Sequence, residues 1–174
     1  MAWRDLGPNE IAGRDETRLA GSLLWIVIAA AFLAVVMVAI VLLFVFGQVL
    51  AAFAGVHLDL LRTVMPSNRG VGLLFMLPLL YVLAWSVVFV SMTWMRAPST
   101  PTVAAVGMAI WVALRLVLGV AGYVVIGVRS GGLVAAIVPL VLSLVAETML
   151  AIAFWVYMQD GTRPNGYYRR RVRA

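Results

Sequence analysis

The chain has 174 residues, of which 64% are hydrophobic and only 11% are charged, and its formal net charge is +6. Soluble domains carry about 25% charged residues, so this composition excludes a large soluble domain and indicates a protein whose solvent is lipid. With no cysteine and a single histidine, the sequence also excludes disulfides, thiolate zinc sites, iron–sulfur clusters and bis-histidine haem within this chain.

The first 20 residues are polar and mixed in charge. Asn9 follows Pro8 and is a residue type that caps helices, which favours a short helix leading into the membrane; a solvated arm is the alternative. From Leu19 to Val56 the chain is almost wholly apolar, and we expect the first span at about 22–48. This run is far longer than the apolar part of a cleaved signal peptide, so we predict an uncleaved anchor.

The connection over residues 49–70 combines apolar and charged positions with the spacing of an amphipathic helix. Leu58, Leu61 and Met65 fall on one helical face, which predicts a short helix lying at the membrane interface between spans 1 and 2. His57 is a candidate metal or pigment ligand, because one imidazole can bind the metal of a haem or chlorophyll; a surface residue is the simpler interpretation. We therefore predict no metal and no cofactor.

Three further apolar runs predict spans 2, 3 and 4. Their expected bounds are about 71–95, 102–127 and 133–158, and the short connections between them make neighbouring spans antiparallel. Residues 159–174 then form a polar, basic tail. The predicted fold is an all-α, up-down bundle of four membrane spans, which form a single membrane domain over residues 1–174.

The distribution of arginine predicts which side of the membrane holds the termini, because basic residues accumulate in cytoplasmic segments. Nine arginines fall in the two terminal segments and the connection between spans 2 and 3, against three in the other two connections. This asymmetry places both termini in the cytoplasm. All 13 basic residues are arginine, and Ala, Val, Leu and Gly are abundant, which indicates a GC-rich bacterial genome and hence a bacterial inner (plasma) membrane.

One charge stands near the middle of each of the last two spans. Arg115 lies 16 residues before Gly131 and Glu147 lies 16 residues after it, so a turn at this glycine brings both charges to the same depth. A lone charge at the centre of a membrane costs about 2.5–3.5 kcal/mol on insertion scales, so we predict an intramembrane ion pair. The pair either fixes the register of two helices, or relays a proton or ion, or makes a polar contact with a partner or lipid.

The tail ends in an aromatic and basic patch. We predict that it binds anionic lipid head groups, at about 1 kcal/mol per basic residue, or an acidic surface of a partner protein; a retention signal with an interfacial anchor is the alternative. The patch consists of Tyr167, Tyr168, Arg169, Arg170, Arg171 and Arg173. A nucleic-acid partner is not expected, because the positive charge lies in the loops and tail of a membrane protein.

The sequence has no phosphate-binding loop, dinucleotide fingerprint or zinc-protease motif, and one histidine without cysteine leaves most hydrolytic and redox catalysis without residues. We therefore expect no enzyme, but a non-catalytic accessory or assembly subunit of a larger bacterial inner-membrane complex, held by helix packing and the basic tail. Two alternatives stay open. One is a small oligomeric transporter or channel that uses Arg115 and Glu147. The other is a pigment- or quinone-contacting subunit of an energy-transducing complex.

Overall fold

Long apolar runs form helices in this protein, because a helix satisfies its backbone hydrogen bonds internally and lipid offers none. The structure is a computed structural model that describes residues 3–11, 14–54, 69–126 and 133–173. In chain order the elements are strand β1 (Trp3–Asp5), helix α1 (Pro8–Ile11), a 3-10 turn (Asp15–Thr17), helices α2 (Gly21–Ala54), α3 (Arg69–Trp94), α4 (Thr100–Ile126), α5 (Leu133–Asp160) and α6 (Thr162–Pro164), a π-helical turn (Asn165–Arg169) and strand β2 (Arg171–Arg173).

Four of these helices are long and apolar enough to cross a membrane, which confirms the predicted number of spans and the mainly helical fold. The apolar windows that meet this requirement are Gly21–Leu43, Met76–Trp94, Thr100–Ala121 and Ile137–Asp160. Each helix begins within about two residues of the predicted span, while α2 continues six residues past its predicted end at 48, to Ala54. Pro78 lies inside α3, and Pro139 lies inside α5.

Parts of the predicted connections lie outside the described residues. Most of the predicted interfacial helix at 49–70, including His57, belongs to residues 55–68, and the predicted turn at Gly131 belongs to residues 127–132. Neither prediction is therefore tested here.

The spans pack in the order of the chain. Helix α2 packs on α3, α3 on α4, and α4 on α5. Large apolar side chains on all four helices are exposed, including Phe32, Leu43, Leu142 and Met149. An outward apolar surface of this extent is what a protein presents to lipid or to other membrane subunits.

The buried core of the described chain lies at one end of the bundle. Leu23 of α2, Phe89 of α3 and Met158 of α5 are almost completely buried there. The indole of Trp85 stacks on Phe89 with ring centroids 5.5 Å apart and meets Phe154 of α5 edge-on at 6.2 Å. Aromatic contacts thus connect α3 with α5, which are not neighbours in the chain.

Two short strands close this end of the molecule, and the sequence did not predict them. Strand β1 pairs antiparallel with β2, with Trp3 opposite Arg173 and Asp5 opposite Arg171. A helix or a solvated arm was predicted for residues 1–20. In the described part of this segment, helix is limited to the four residues of α1 and the 3-10 turn. We call the segments 3–11, 14–20 and 161–173 the terminal cap, because they fold together over the buried end of the bundle.

Candidate functional site

The charges of Arg115 and Glu147 meet between α4 and α5. Arg115 Nε lies 3.3 Å from Glu147 Oε1 and 3.4 Å from Oε2, so one N–H is shared by both carboxylate oxygens. Arg115 is 15 residues from the start of α4 at Thr100, about 22 Å along the helix, and Glu147 is 13 residues from the end of α5 at Asp160, about 20 Å along it. Both charges therefore lie deep within the candidate spans.

Aromatic side chains support the arginine from one side. The Arg115 Cζ atom lies 5.9 Å from the ring centroid of Trp111, one turn earlier in α4, within the range of a cation–π interaction. Trp111 stacks on Tyr81 of α3 at 6.2 Å, and the Tyr81 hydroxyl donates to the backbone carbonyl of Gly107. Helix α3 thus positions Trp111 through Tyr81, and Trp111 in turn contacts the Arg115 guanidinium.

The carboxylate has no other protein donor in the described part of the chain. Ser143 lies one helical turn before Glu147 in α5, but its hydroxyl donates to the carbonyl of Leu140. The Thr148 hydroxyl donates to the carbonyl of Leu144. Both hydroxyls are therefore engaged by the backbone of α5, and the electrostatic partner of Glu147 is Arg115 alone among the residues described.

The pair is not fully covered by the protein. One third (33%) of the Arg115 side-chain surface and 24% of the Glu147 surface are exposed. Only Nε of Arg115 donates to the carboxylate, and neither Nη atom donates to a residue that the structure describes. The charges compensate each other, but several N–H donors remain to be satisfied at a depth where lipid supplies no acceptor.

Two apolar concavities are lined by residues that lie near the pair in the chain, but not by Arg115 or Glu147 themselves. A groove of about 380 Å³ runs between α4 and α5 on the outside of the bundle; its lining includes Ala109 and Ala151, and Thr148 next to Glu147. A second cleft, of about 400 Å³, lies among α2, α3 and α4 and is lined in part by Tyr81, Trp85 and Trp111. Small residues such as these alanines let another helix approach closely.

The predicted aromatic and basic patch is divided in the structure. Only 6% of Tyr167 and 4% of Tyr168 are exposed, so the two rings offer little surface to lipid or to a partner protein. The Tyr168 hydroxyl hydrogen-bonds with Thr93 Oγ1 at 2.8 Å, and the Tyr167 hydroxyl donates to the Thr93 carbonyl at 3.2 Å. Their physical role is to anchor the cap on the end of α3, because buried tyrosines satisfy their hydroxyls inside the fold.

The arginines of the patch have different surroundings. Arg169 donates to Gln159 Oε1 and Thr102 Oγ1, while Arg171 makes an ion pair of 2.7 Å with Asp5 across the strand pair. Arg170 is exposed, and the backbone of Arg173 pairs with Trp3. Arg169 and Arg171 thus have partners within the protein, and Arg170 remains open to solvent.

Burial of Tyr168 has a measurable consequence at alkaline pH. Desolvation raises the pKa of Tyr168 from its ordinary 10.0 to about 12, although the hydrogen bond with Thr93 acts in the opposite direction. Because the folded pKa exceeds the unfolded one, this group stabilises the cap fully below pH 10 and loses that contribution as the pH rises towards 12. An alkaline titration of tyrosinate absorbance should show a component near pH 12 that Tyr168→Phe removes and Tyr167→Phe leaves. Identical curves for wild type and Tyr168→Phe would contradict the assignment.

Arg96 ends α3 in an unusual backbone conformation. The Ala97 N–H bonds to the Met92 carbonyl and the Arg96 N–H to the Thr93 carbonyl, which is the hydrogen-bond pattern of a Schellman motif. Its left-handed position normally holds glycine, yet here it holds Arg96 with φ 51°. A non-glycine residue in the left-handed conformation costs about 1–2 kcal/mol. The backbone preference of arginine therefore opposes the turn at this position.

No metal centre is apparent among the described residues, where no three His, Asp or Glu side chains come together. His57 lies outside them, so its suggested role as a ligand is not tested. Searches of protein-family models, curated proteins and solved structures find no match to this chain.

Proposed function

We propose that this protein is a non-catalytic accessory or assembly subunit of a larger membrane complex. The observation that carries the proposal is the Arg115–Glu147 pair, which lies deep in the candidate spans with a third and a quarter of its side-chain surfaces uncovered. Charged groups at this depth normally face protein or a water-filled cavity. A neighbouring subunit that packs over α4 and α5 supplies the missing cover.

The pair also indicates what the neighbouring subunit offers. The charge of Arg115 is already balanced by Glu147, so a second anion is not needed. What remains are the N–H donors on its two Nη atoms, and a backbone carbonyl or a side-chain amide or hydroxyl oxygen satisfies them without adding charge. The adjacent groove with Ala105, Ala109 and Ala151 lets a partner helix come close enough to reach them.

The orientation that goes with this proposal has both termini in the cytoplasm of a bacterium and the chain in the inner membrane. It rests on the arginine asymmetry of nine against three, counted on the two sides of a four-span chain. The pairing of β1 with β2 supports a common side for the two terminal segments. Exposed arginines of the cap, such as Arg170, then face the cytoplasm, where they meet anionic lipid head groups or an acidic partner surface.

The incomplete cover of the pair also supports one function of a different class. In a small oligomeric transporter or channel, copies of this chain surround a polar path, and Arg115 and Glu147 line it. Reconstitution into liposomes separates the two proposals. A stable homo-oligomer that conducts ions or solutes favours the transporter, whereas the accessory subunit alone gives tight vesicles.

Purification from the native membrane in a mild detergent tests the proposed function. The chain carrying a small affinity tag should be recovered together with other, different membrane subunits in stoichiometric amount. Recovery as a monomer or as a homo-oligomer under conditions that preserve known complexes of the same membrane speaks against an accessory subunit.

A further inference from the structure

A small pocket opens where the first two spans reach the membrane surface. It measures about 230 Å³ and lies between the start of α2 and the end of α3, beneath the terminal cap. Leu19, Val27 and Val90 form its apolar wall, while Arg96 and Trp94 form part of its polar side. Gly21 and Trp94 are the residues at which the apolar windows of these two spans begin and end, so the pocket lies at the level of lipid head groups.

Arg96 at this pocket has a positive charge that no described residue neutralises. Its guanidinium lies 5.0 Å from the ring centroid of Tyr167, and the structure shows no ion pair or side-chain hydrogen bond between it and a described residue. Arg4, Arg18 and Arg171 each have a carboxylate partner, in contrast. The face of Tyr167 fixes the guanidinium in place but leaves its planar edge of N–H donors open.

Backbone geometry shows that Arg96 is held at this place against its own preference. Glycine would adopt the left-handed conformation at φ 51° without steric cost, and the Schellman hydrogen bonds around it do not require a side chain. The backbone turn therefore does not explain why an arginine occupies this position.

We propose that Arg96 and this pocket bind a phosphate group, with the head group of a phospholipid as its source. The guanidinium donates to the phosphate oxygens, since its fork of N–H donors matches them. Trp94, which is 87% exposed, places its amphipathic ring at the same level and anchors the rim in the interface. The apolar wall of Leu19, Val27 and Val90 continues from the pocket and receives the upper part of an acyl chain.

Glycine substitution gives a test in which folding and binding are separated. Arg96→Gly removes the guanidinium but relieves the backbone, so the variant should unfold at the same temperature as wild type or higher in phospholipid-free detergent. Arg4→Gln is the control for the loss of one positive charge, because Arg4 is an exposed arginine of the terminal cap that is paired with Glu10 and does not line the pocket. The full chain is equilibrated with phosphatidylglycerol in mixed micelles, and native mass spectrometry counts the lipids retained.

We expect wild type and Arg4→Gln to retain one phosphatidylglycerol more tightly than Arg96→Gly does, by about fivefold in affinity, the effect of one basic residue that contacts a head group. Equal retention by Arg96→Gly and wild type rules out a phospholipid as the source of the phosphate. A second arm titrates inorganic phosphate into lipid-free micelles and follows tryptophan fluorescence. A saturable change in wild type that Arg96→Gly lacks, without preferential lipid retention, assigns the phosphate site to a soluble ligand. No difference between the variants in either arm rejects the site.

Discussion

Removal of the Glu147 carboxylate alone should destabilise the protein in a membrane environment by about 3 kcal/mol, and more than removal of both charges does. Glu147→Ala leaves the Arg115 guanidinium without the carboxylate that its Nε contacts at 3.3 Å. The double variant Arg115→Leu with Glu147→Ala has no stranded charge, so we expect its free energy of unfolding within about 1 kcal/mol of wild type. Reversible unfolding in mixed lipid–detergent micelles measures all three proteins.

Ser143→Ala provides the control for this experiment. Ser143 lies one turn from Glu147 on α5, but its hydroxyl donates to the backbone, so its removal should change stability little. If the single and double variants are equally stable, the two charges do not depend on each other, and the ion pair does not contribute to the free energy of unfolding.

Among the described glycines of the spans, Gly107 is the one at which substitution by alanine should lower the stability of the protein most. A Cβ atom built on Gly107 would overlap the Cδ1 and Nε1 atoms of the Trp85 indole. Movement of the indole away from this methyl group would disturb its stack on Phe89 and its edge-on contact with Phe154. We expect a loss of about 1–3 kcal/mol from overpacking, even though alanine is the better helix former.

Gly119→Ala is the matched control in the same helix. The methyl group added there would meet the terminal Cδ atoms of Leu140, which can move by a change of rotamer. Thermal unfolding in detergent should therefore show a much larger loss for Gly107→Ala than for Gly119→Ala. Equal losses would show that Trp85 adjusts freely and that the contact of α3 with α4 is loose.

The number and approximate position of the membrane helices follow from the sequence for a simple physical reason. Lipid offers no hydrogen-bond partner to the backbone, so an apolar run of about 20 residues has to be a helix if it crosses the membrane. The equal spacing of Arg115 and Glu147 from Gly131 was also informative, because helix geometry turns equal residue numbers into equal depths. The spacing of the two residues in the sequence does not predict which of their atoms meet or how much of each side chain stays exposed. Both depend on side-chain conformations and on neighbouring residues.

The terminal cap was not predictable in the same way. Its contacts join residues far apart in the chain, such as Arg171 with Asp5 and Tyr168 with Thr93. Strands of three residues that consist largely of arginine and aspartate carry no apolar alternation, which is the usual signal for a strand. The sequence therefore predicts a surface patch at Tyr167 and Tyr168, although both rings are buried between the cap and the end of α3.

The sequence around Arg96 carries a local signal for the end of a helix. It follows Trp94 at the end of an apolar run and precedes Pro98, where a helix ends and a left-handed residue is common. The contact of Arg96 with Tyr167 does not follow from this signal, because Tyr167 reaches Arg96 only when the tail returns to the end of α3.

The uncovered charge pair is tested most directly by comparing two proteins purified from the native membrane in mild detergent. One is wild type, and the other is the double variant Arg115→Leu with Glu147→Leu, which should remain folded because no charge is stranded. If a partner subunit covers the pair, wild type is recovered with stoichiometric partner subunits, and the variant is recovered folded but depleted of them. Recovery of both proteins with the same partners, or of wild type alone, contradicts the proposal that the pair is the contact with another subunit.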